Sequence, residues 1–139
     1  MYELLLHIEP VAKGRPRFSS GHIYTPVKTK DFEMFIAGAW FSKYGGLRLK
    51  GPLSARLEFG VKIPKSTSKK QKALMIEGKV KPDKRPDLDN YIKAVLDGLN
   101  MAAFDDDGAI TNITASKLYA DRPYVLIVLD CLNAGDEII

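Results

Sequence analysis

The sequence is poor in the residues that form disulfides or bind soft metals. It contains one cysteine, Cys131, and two histidines, His7 and His22. A single cysteine excludes an intramolecular disulfide, and we expect a small buried residue in a reducing, cytoplasmic setting. Both histidines lie far along the chain from the cluster of aspartates between residues 87 and 107, which disfavours a zinc site there.

Long apolar runs are also absent. No stretch approaches the roughly 20 apolar residues that cross a bilayer. The start of the chain has Glu3 before a short leucine run and no small-residue cleavage pattern, so we expect neither a signal peptide nor a membrane partner. With 139 residues, 45% hydrophobic and 27% charged, the composition is typical of one globular domain spanning 1–139.

The excess of positive charge is small overall but uneven along the chain. Lys and Arg number 21 against 17 Asp and Glu, a net charge of +4. Residues 61–85 hold nine bases and two acids, whereas residues 86–107 hold six acids and one base. A basic block beside an acidic one favours a site that holds a cation against a polyanion.

The hydrophobic pattern predicts an α+β fold with one mixed β-sheet, because strands cluster at the two ends rather than alternating with helices. Strands are predicted over 2–8, 23–24 and 55–63, and as a hairpin made of 110–119 and a central strand over 124–132. Helices are predicted over 31–44, over a short lysine-rich surface segment ending at 77, and over about 87–102.

Five carboxylates bracket the helix predicted over 87–102. Asp87 and Asp89 open it, and a triplet follows it at 105–107. Carboxylates that gather repel each other, and a bound Mg²⁺ ion with its oxygen ligands would relieve this. The helix holds its ends about 20 Å apart, so the two groups meet only if the following chain doubles back. We expect the strand from Ile110 to return antiparallel to the helix.

Lys93 lies four residues after Asp89, on nearly the same helix face. Its ammonium group can orient an attacking water or stabilise charge that builds on a phosphate. A purely structural interpretation stays open: Asp87 as an N-cap, Asp89 as a partner of the helix dipole and of Lys93, and the triplet as a solvated turn.

Basic residues at two places are candidates for binding DNA phosphates. One group is a loop stiffened by a proline, and the other directly precedes the acidic helix. Each could equally be a solvated basic surface. The candidates are Lys13, Arg15, Arg17, Lys84 and Arg85.

Three segments together resemble the signature of the RusA family of Holliday junction resolvases: RPDLDNYIK at 85–93, LDGLN at 96–100 and FDDD at 104–107. Upstream, KGRPR at 13–17 and YTP at 24–26 are similar to the N-terminal basic motif of that family. The resemblance spans about residues 3–130. It implies a small α+β homodimer that binds four-way junction DNA and cuts two opposing strands in recombination and repair, using Mg²⁺ with Mn²⁺ as a substitute.

The resemblance also implies residue roles. Asp87, Asp89 and Asp107 would be the catalytic, metal-binding carboxylates, and Lys93 the essential lysine. The family has two aspartates where this chain has three, and alignment on Ile110 selects Asp107 and leaves Asp106 open. One or two metal ions remain possible. Independently, two symmetric incisions favour a two-fold dimer.

Two other functions compete with this one. The first is a non-catalytic basic DNA-binding module whose acids only cap a helix. The second is a metal-dependent phosphohydrolase of small nucleotides, which the basic block disfavours because a mononucleotide needs few neutralising charges.

Overall fold

A computed structural model describes residues 1–14, 17–24 and 26–133 of the chain. The predicted α+β class is confirmed. The strands are β1 (Tyr2–Leu6), β2 (Arg17–Ser19), β3 (His22–Tyr24), β4 (Leu53–Lys62), β5 (Ile110–Ala120) and β6 (Tyr124–Cys131). The helices are α1 (Val27–Tyr44), α2 (Lys69–Ile76) and α3 (Leu88–Leu99), and a 3₁₀ turn covers Asp107–Ala109.

Four strands form one mixed sheet in the order β1-β6-β4-β5. Strand β4 pairs parallel with β5 and antiparallel with β6, and β1 pairs antiparallel with β6. The short strands β2 and β3 pair in a separate two-stranded sheet. Strand β6 is therefore central, as predicted.

The predicted hairpin of β5 and β6 is wrong, because β4 lies between them. Both β4 and β6 carry fully buried side chains, among them Phe59 on β4 and Ile127 on β6. Each gains a neighbour on both sides in the observed order, and the more exposed β5 takes the edge. Residues 121–123 cross two strand spacings of about 4.8 Å each, which three extended residues can span.

Helix α1 starts four residues earlier than predicted, after Pro26, and ends as predicted at Gly45, which has a positive φ of 62°. It buries Phe32, Ile36 and Trp40 at helical spacing against the core. Phe35, which neighbours Ile36 in the sequence, is 49% exposed, because the buried stripe of α1 is only one residue wide.

Helix α3 packs on α1 and ends at Leu99, three residues before its predicted end. The chain turns there because Asn100 pairs with Phe104 in an isolated β-bridge. Near the start of α3, the ring of Tyr91 stacks on Phe59 of β4 with centroids 5.2 Å apart. This contact fixes the beginning of α3 over the sheet.

Helix α2 lies on the surface, as predicted, and Met75 is its only buried side chain. The hydroxyl of Ser68 caps it by accepting a hydrogen bond from the Gln71 amide at 3.2 Å. Over the described ranges, no helix has the length and apolar character needed to traverse a bilayer.

Candidate active site and basic surface

The beginning of α3 presents two of the predicted carboxylates. Asp87 is the N-cap residue and Asp89 lies in the first turn, and both are exposed. The side chain of Asp87 makes no capping hydrogen bond, so helix capping does not account for it. These two carboxylates are therefore available to a ligand.

The segment before α3 is held by a residue that the sequence analysis missed. Lys117 of β5 donates hydrogen bonds to the carbonyl oxygens of Lys84 at 2.6 Å and Pro86 at 2.9 Å. Lys117 lies opposite Phe59 in the sheet register, on the face that α3 covers. Side chains alternate between the two faces of a strand, and Lys117 stands at a position of β5 that faces the core. A charged residue at such a position is the feature of the sequence that could have identified it.

The third predicted carboxylate lies at the other end of β5. Asp107 lies three residues before Ile110, the first residue of β5, whereas Lys117 reaches the start of α3. Lys117 lies seven positions after Ile110, a distance of about 23 Å at 3.3 Å per residue. The strand does double back along α3, but it brings Lys117 rather than Asp107 to the other two carboxylates.

The described part of one chain accordingly does not bring the three predicted carboxylates together as a metal cluster. Across residues 1–14, 17–24 and 26–133, no three side chains of His, Cys, Asp or Glu come close enough to hold a metal ion. Asp87 and Asp89 do fit Mg²⁺ as a partial ligand set, because this ion commonly takes one or two carboxylates and completes its shell with water and substrate phosphate.

The three aspartates of the triplet differ in their surroundings. The Asp105 carboxylate forms an ion pair with Arg48 at 2.8 Å. The Asp106 carboxylate accepts a hydrogen bond from the Gly108 amide at 3.0 Å and caps the 3₁₀ turn. Asp107 has no side-chain partner in the part of the chain that is described, which leaves its carboxylate available.

Lys93 is exposed, and its ion-pair partner is Asp97 at 3.6 Å rather than Asp89. The other oxygen of Asp97 lies 3.0 Å from the ammonium group of Lys13, which also contacts Glu33 at 2.7 Å. Asp97 thus links the predicted catalytic lysine to the N-terminal segment. The pair of Lys93 and Asp97 was visible in the sequence at i,i+4 spacing, whereas the contacts of Lys13 span the chain.

The Lys13 ammonium is largely enclosed, with 17% of its side chain exposed. Burial acts to lower the pKa of Lys13, but the hydrogen bonds to Glu33 and Asp97 outweigh burial and raise the pKa above its ordinary value of 10.5. Arg15 lies outside the described residues, and Arg17 starts β2 with a side chain outside the description.

Lys84 and Arg85 are exposed and line a cavity of about 240 Å³ just before α3. Lys62, Lys117 and Tyr91 contribute to the same cavity. Burial, followed by the nearby Glu9 carboxylate, raises the pKa of Tyr91. The cavity therefore combines several cations with a neutral phenol, a surface suited to anions.

Two exposed carboxylates next to a cavity whose charged residues are mainly cations meet the two needs of an enzyme that cuts phosphodiesters: ligands for a metal ion and contacts for the phosphate backbone. The class that this defines is a nuclease. The sequence profile of the family described as "Endodeoxyribonuclease RusA" matches residues 7–130. The chain belongs to the RusA family of endodeoxyribonucleases, whose members are generally dependent on divalent metal ions.

The chain is also similar to a curated protein over most of its length. The chain is 35% identical over 132 residues to "Uncharacterized protein YqaN" of Bacillus subtilis (strain 168). This alignment covers 91% of the chain and 93% of the relative.

Proposed function

We propose that the chain is a Mg²⁺-dependent Holliday junction resolvase that acts as a homodimer and nicks two opposing strands. The observation that carries the proposal is the start of α3, where the carboxylates of Asp87 and Asp89 are both exposed and Asp87 makes no capping hydrogen bond. Membership of an endodeoxyribonuclease family gives these accessible groups a chemical purpose.

Each side chain has a distinct task in this proposal. Asp87 and Asp89 would hold Mg²⁺, or Mn²⁺ in its place, which supplies Lewis acidity and an activated water when bound. The Lys93 ammonium stabilises the charge that builds on the scissile phosphate. Lys84 and Arg85 bind neighbouring phosphates and so orient the strand.

A dimer through the edge of β5 would supply the third carboxylate. Among the described residues, strand β5 has a neighbouring strand only on its β4 side, and residues 111–114 are all exposed. An open edge of this kind favours pairing with another strand. Two copies of β5 can pair antiparallel about a two-fold axis, which gives each protomer the same contact.

The register of such a pairing follows from the exposed stretch. With the axis near Asn112, the middle of that stretch, Asp107 of one protomer lies across from position 117 of the other. Lys117 contacts the carbonyl of Pro86, the residue before Asp87. Each active site would then combine Asp87 and Asp89 of one protomer with Asp107 of its partner, and a dimer would carry two such sites.

A charged substitution at the edge of β5 tests whether the dimer forms through this strand. Ile113→Lys, at a side chain 43% exposed on β5, should convert the dimer to a monomer because two added lysines would lie close together across the axis. Leu5→Lys on the opposite edge, at a side chain 52% exposed, is the matched control and should stay dimeric. Sedimentation measures the mass, and dissociation by the Leu5 variant alone would place the dimer on β1.

Nicking of labelled DNA tests the activity. A synthetic four-way junction and a linear duplex of the same sequence are incubated with Mg²⁺ or EDTA and resolved on a denaturing gel. We expect symmetric cuts in the junction only, dependent on Mg²⁺, and none with Asp89→Asn. Junction binding without cuts in Mg²⁺ or Mn²⁺ would instead support the non-catalytic DNA-binding module.

A further inference from the structure

Two neighbouring cavities on the surface, together called the trough, are lined by charged residues that are mainly basic. The cavity before α3, of about 240 Å³, and a second one of about 390 Å³ beside α2 both have Lys62 and Pro64 in their walls. The trough therefore extends from the start of α3 to α2. Helix α2 forms its far wall through Lys69 and Lys72.

The charges along the trough are strongly one-sided. Its walls carry two acids, Glu9 and Asp121, against seven basic residues. The basic residues are Lys62, Lys65, Lys69, Lys72, Lys84, Arg85 and Lys117.

Few of these cations are neutralised by the protein. Lys72 pairs with Asp121 at 3.2 Å, and Lys117 is held by backbone carbonyls. The other five have no carboxylate within ion-pair distance anywhere in the described ranges. Lys13, by contrast, is enclosed by two acids. Cations brought together without partners repel each other, and a polyanion relieves that repulsion while releasing its own counterions.

The position of the trough relative to the active site decides which part of the DNA it fits. Its near end, at Arg85, lies two residues before Asp87. Its far end lies on a capped, surface-mounted helix that contributes only Met75 to the buried residues. Helix α2 is thus a support for lysines beside the sheet rather than part of the central core.

Resting on the proposed function, we propose that this trough seats the sugar–phosphate backbone of a duplex arm that leaves the junction next to the cut strand. The lysines of α2 contact the arm beyond the branch point. Contacts to phosphates carry no sequence information, so they position the arm and leave any choice of sequence to the site at α3.

Affinity measured without cutting tests this. Lys65→Gln and Lys69→Gln, alone and combined, remove exposed charges without a carboxylate partner, and unchanged melting temperatures would show intact folding. Lys43→Gln is the control for a lysine outside the trough. Lys43 lies at the end of α1, where its ammonium group donates a hydrogen bond to the backbone carbonyl of Glu3 at 2.6 Å, so the melting temperature of this variant is measured as well. Junctions with long arms and with arms truncated near the branch point are titrated in EDTA over a range of salt concentrations.

On long arms, the combined variant should lower the slope of log affinity against log salt by about one to two units, one per lost phosphate contact. On junctions with truncated arms, the combined variant should have the same slope as the unaltered chain. Lys43→Gln should have that slope on both long and truncated arms. A slope equal to that of the control, or equal weakening on both arm lengths, would overturn the proposal. Nothing is cut in this titration, so it tests the contact with the arm separately from nicking. If the effect depended on arm length but the protein never nicked DNA, the proposed nuclease activity alone would be refuted.

Discussion

Residues of the same type differ in this protein according to what surrounds them. Lys13 and Lys93 both contact Asp97, yet Lys13 is enclosed while 60% of the Lys93 side chain is exposed. Lys13 therefore acts as a bridge between the N-terminal segment, α1 and α3, although it was predicted from sequence to bind phosphate. Lys93 stays accessible to a substrate.

The bridge made by Lys13 should show a defined pH dependence. Lys13→Met leaves Glu33 without its cation and Asp97 with only the longer contact to Lys93, and we expect it to lower the free energy of unfolding by about 2 kcal/mol at neutral pH. Since folding raises the pKa of Lys13, the stabilisation is fully present below the ordinary value of 10.5 and is lost as pH rises through the higher folded value.

Urea unfolding of both proteins over a pH series measures this. The difference between them should be constant around neutral pH and shrink above about pH 10.5. A difference that grows with rising pH would contradict the assignment.

The triplet offers a second test at this scale. Asp107→Asn should abolish nicking, whereas Asp106→Asn should keep most of it, because an asparagine oxygen can still accept from the Gly108 amide. Single-turnover nicking of a junction compares the two variants. The reverse order of effects would make Asp106 the third carboxylate.

At the scale of elements, the helices and strands could largely be predicted from the sequence, but the pairing of the strands in the sheet could not. The alternation in β4 and the stripe on α3 are local signals, because each repeats with the period of its own backbone. The order of strands depends on which pairs bury most surface across the sheet, and no local pattern records that. The predicted pairing of β5 with β6 failed for this reason.

The contact between α1 and α3 depends on a glycine. A Cβ atom at Gly98 would lie 2.8 Å from the Cβ of Ile36 and 3.0 Å from the Glu33 carbonyl oxygen. Gly98→Ala should therefore destabilise the protein by about 1–3 kcal/mol through overpacking.

Gly38→Ala is the matched control on α1, since nothing lies within 4 Å of a Cβ there. We expect it to be neutral or to stabilise by up to about 1 kcal/mol, because alanine favours the helix. Chemical unfolding measures both variants. Equal effects would mean that the helices are not in close contact at Gly98.

At the scale of the whole molecule, the sequence predicted which candidate residues are local neighbours but not how the distant ones are arranged. Asp87, Asp89 and Lys93 are local neighbours at the start of one helix, so their proximity follows from helix geometry. The position of Asp107 depends on a strand that runs the length of the sheet, and in the proposed function a second copy of the chain brings Asp107 to the other carboxylates. One sequence carries no local signal for either.

Mixing two inactive variants tests the central claim most directly, that two protomers together build each active site of a junction nuclease. Asp89→Asn and Asp107→Asn are each expected to be inactive as homodimers. In a mixed dimer, one site combines both substitutions and the other combines Asp89 with Asp107 of the partner, both unaltered.

We therefore expect the mixture, after subunit exchange, to regain Mg²⁺-dependent nicking of a four-way junction at one strand per dimer. If each site were contained within one protomer, every site in the mixture would carry one substitution. The mixture would then stay as inactive as its parts, and that result would contradict the account.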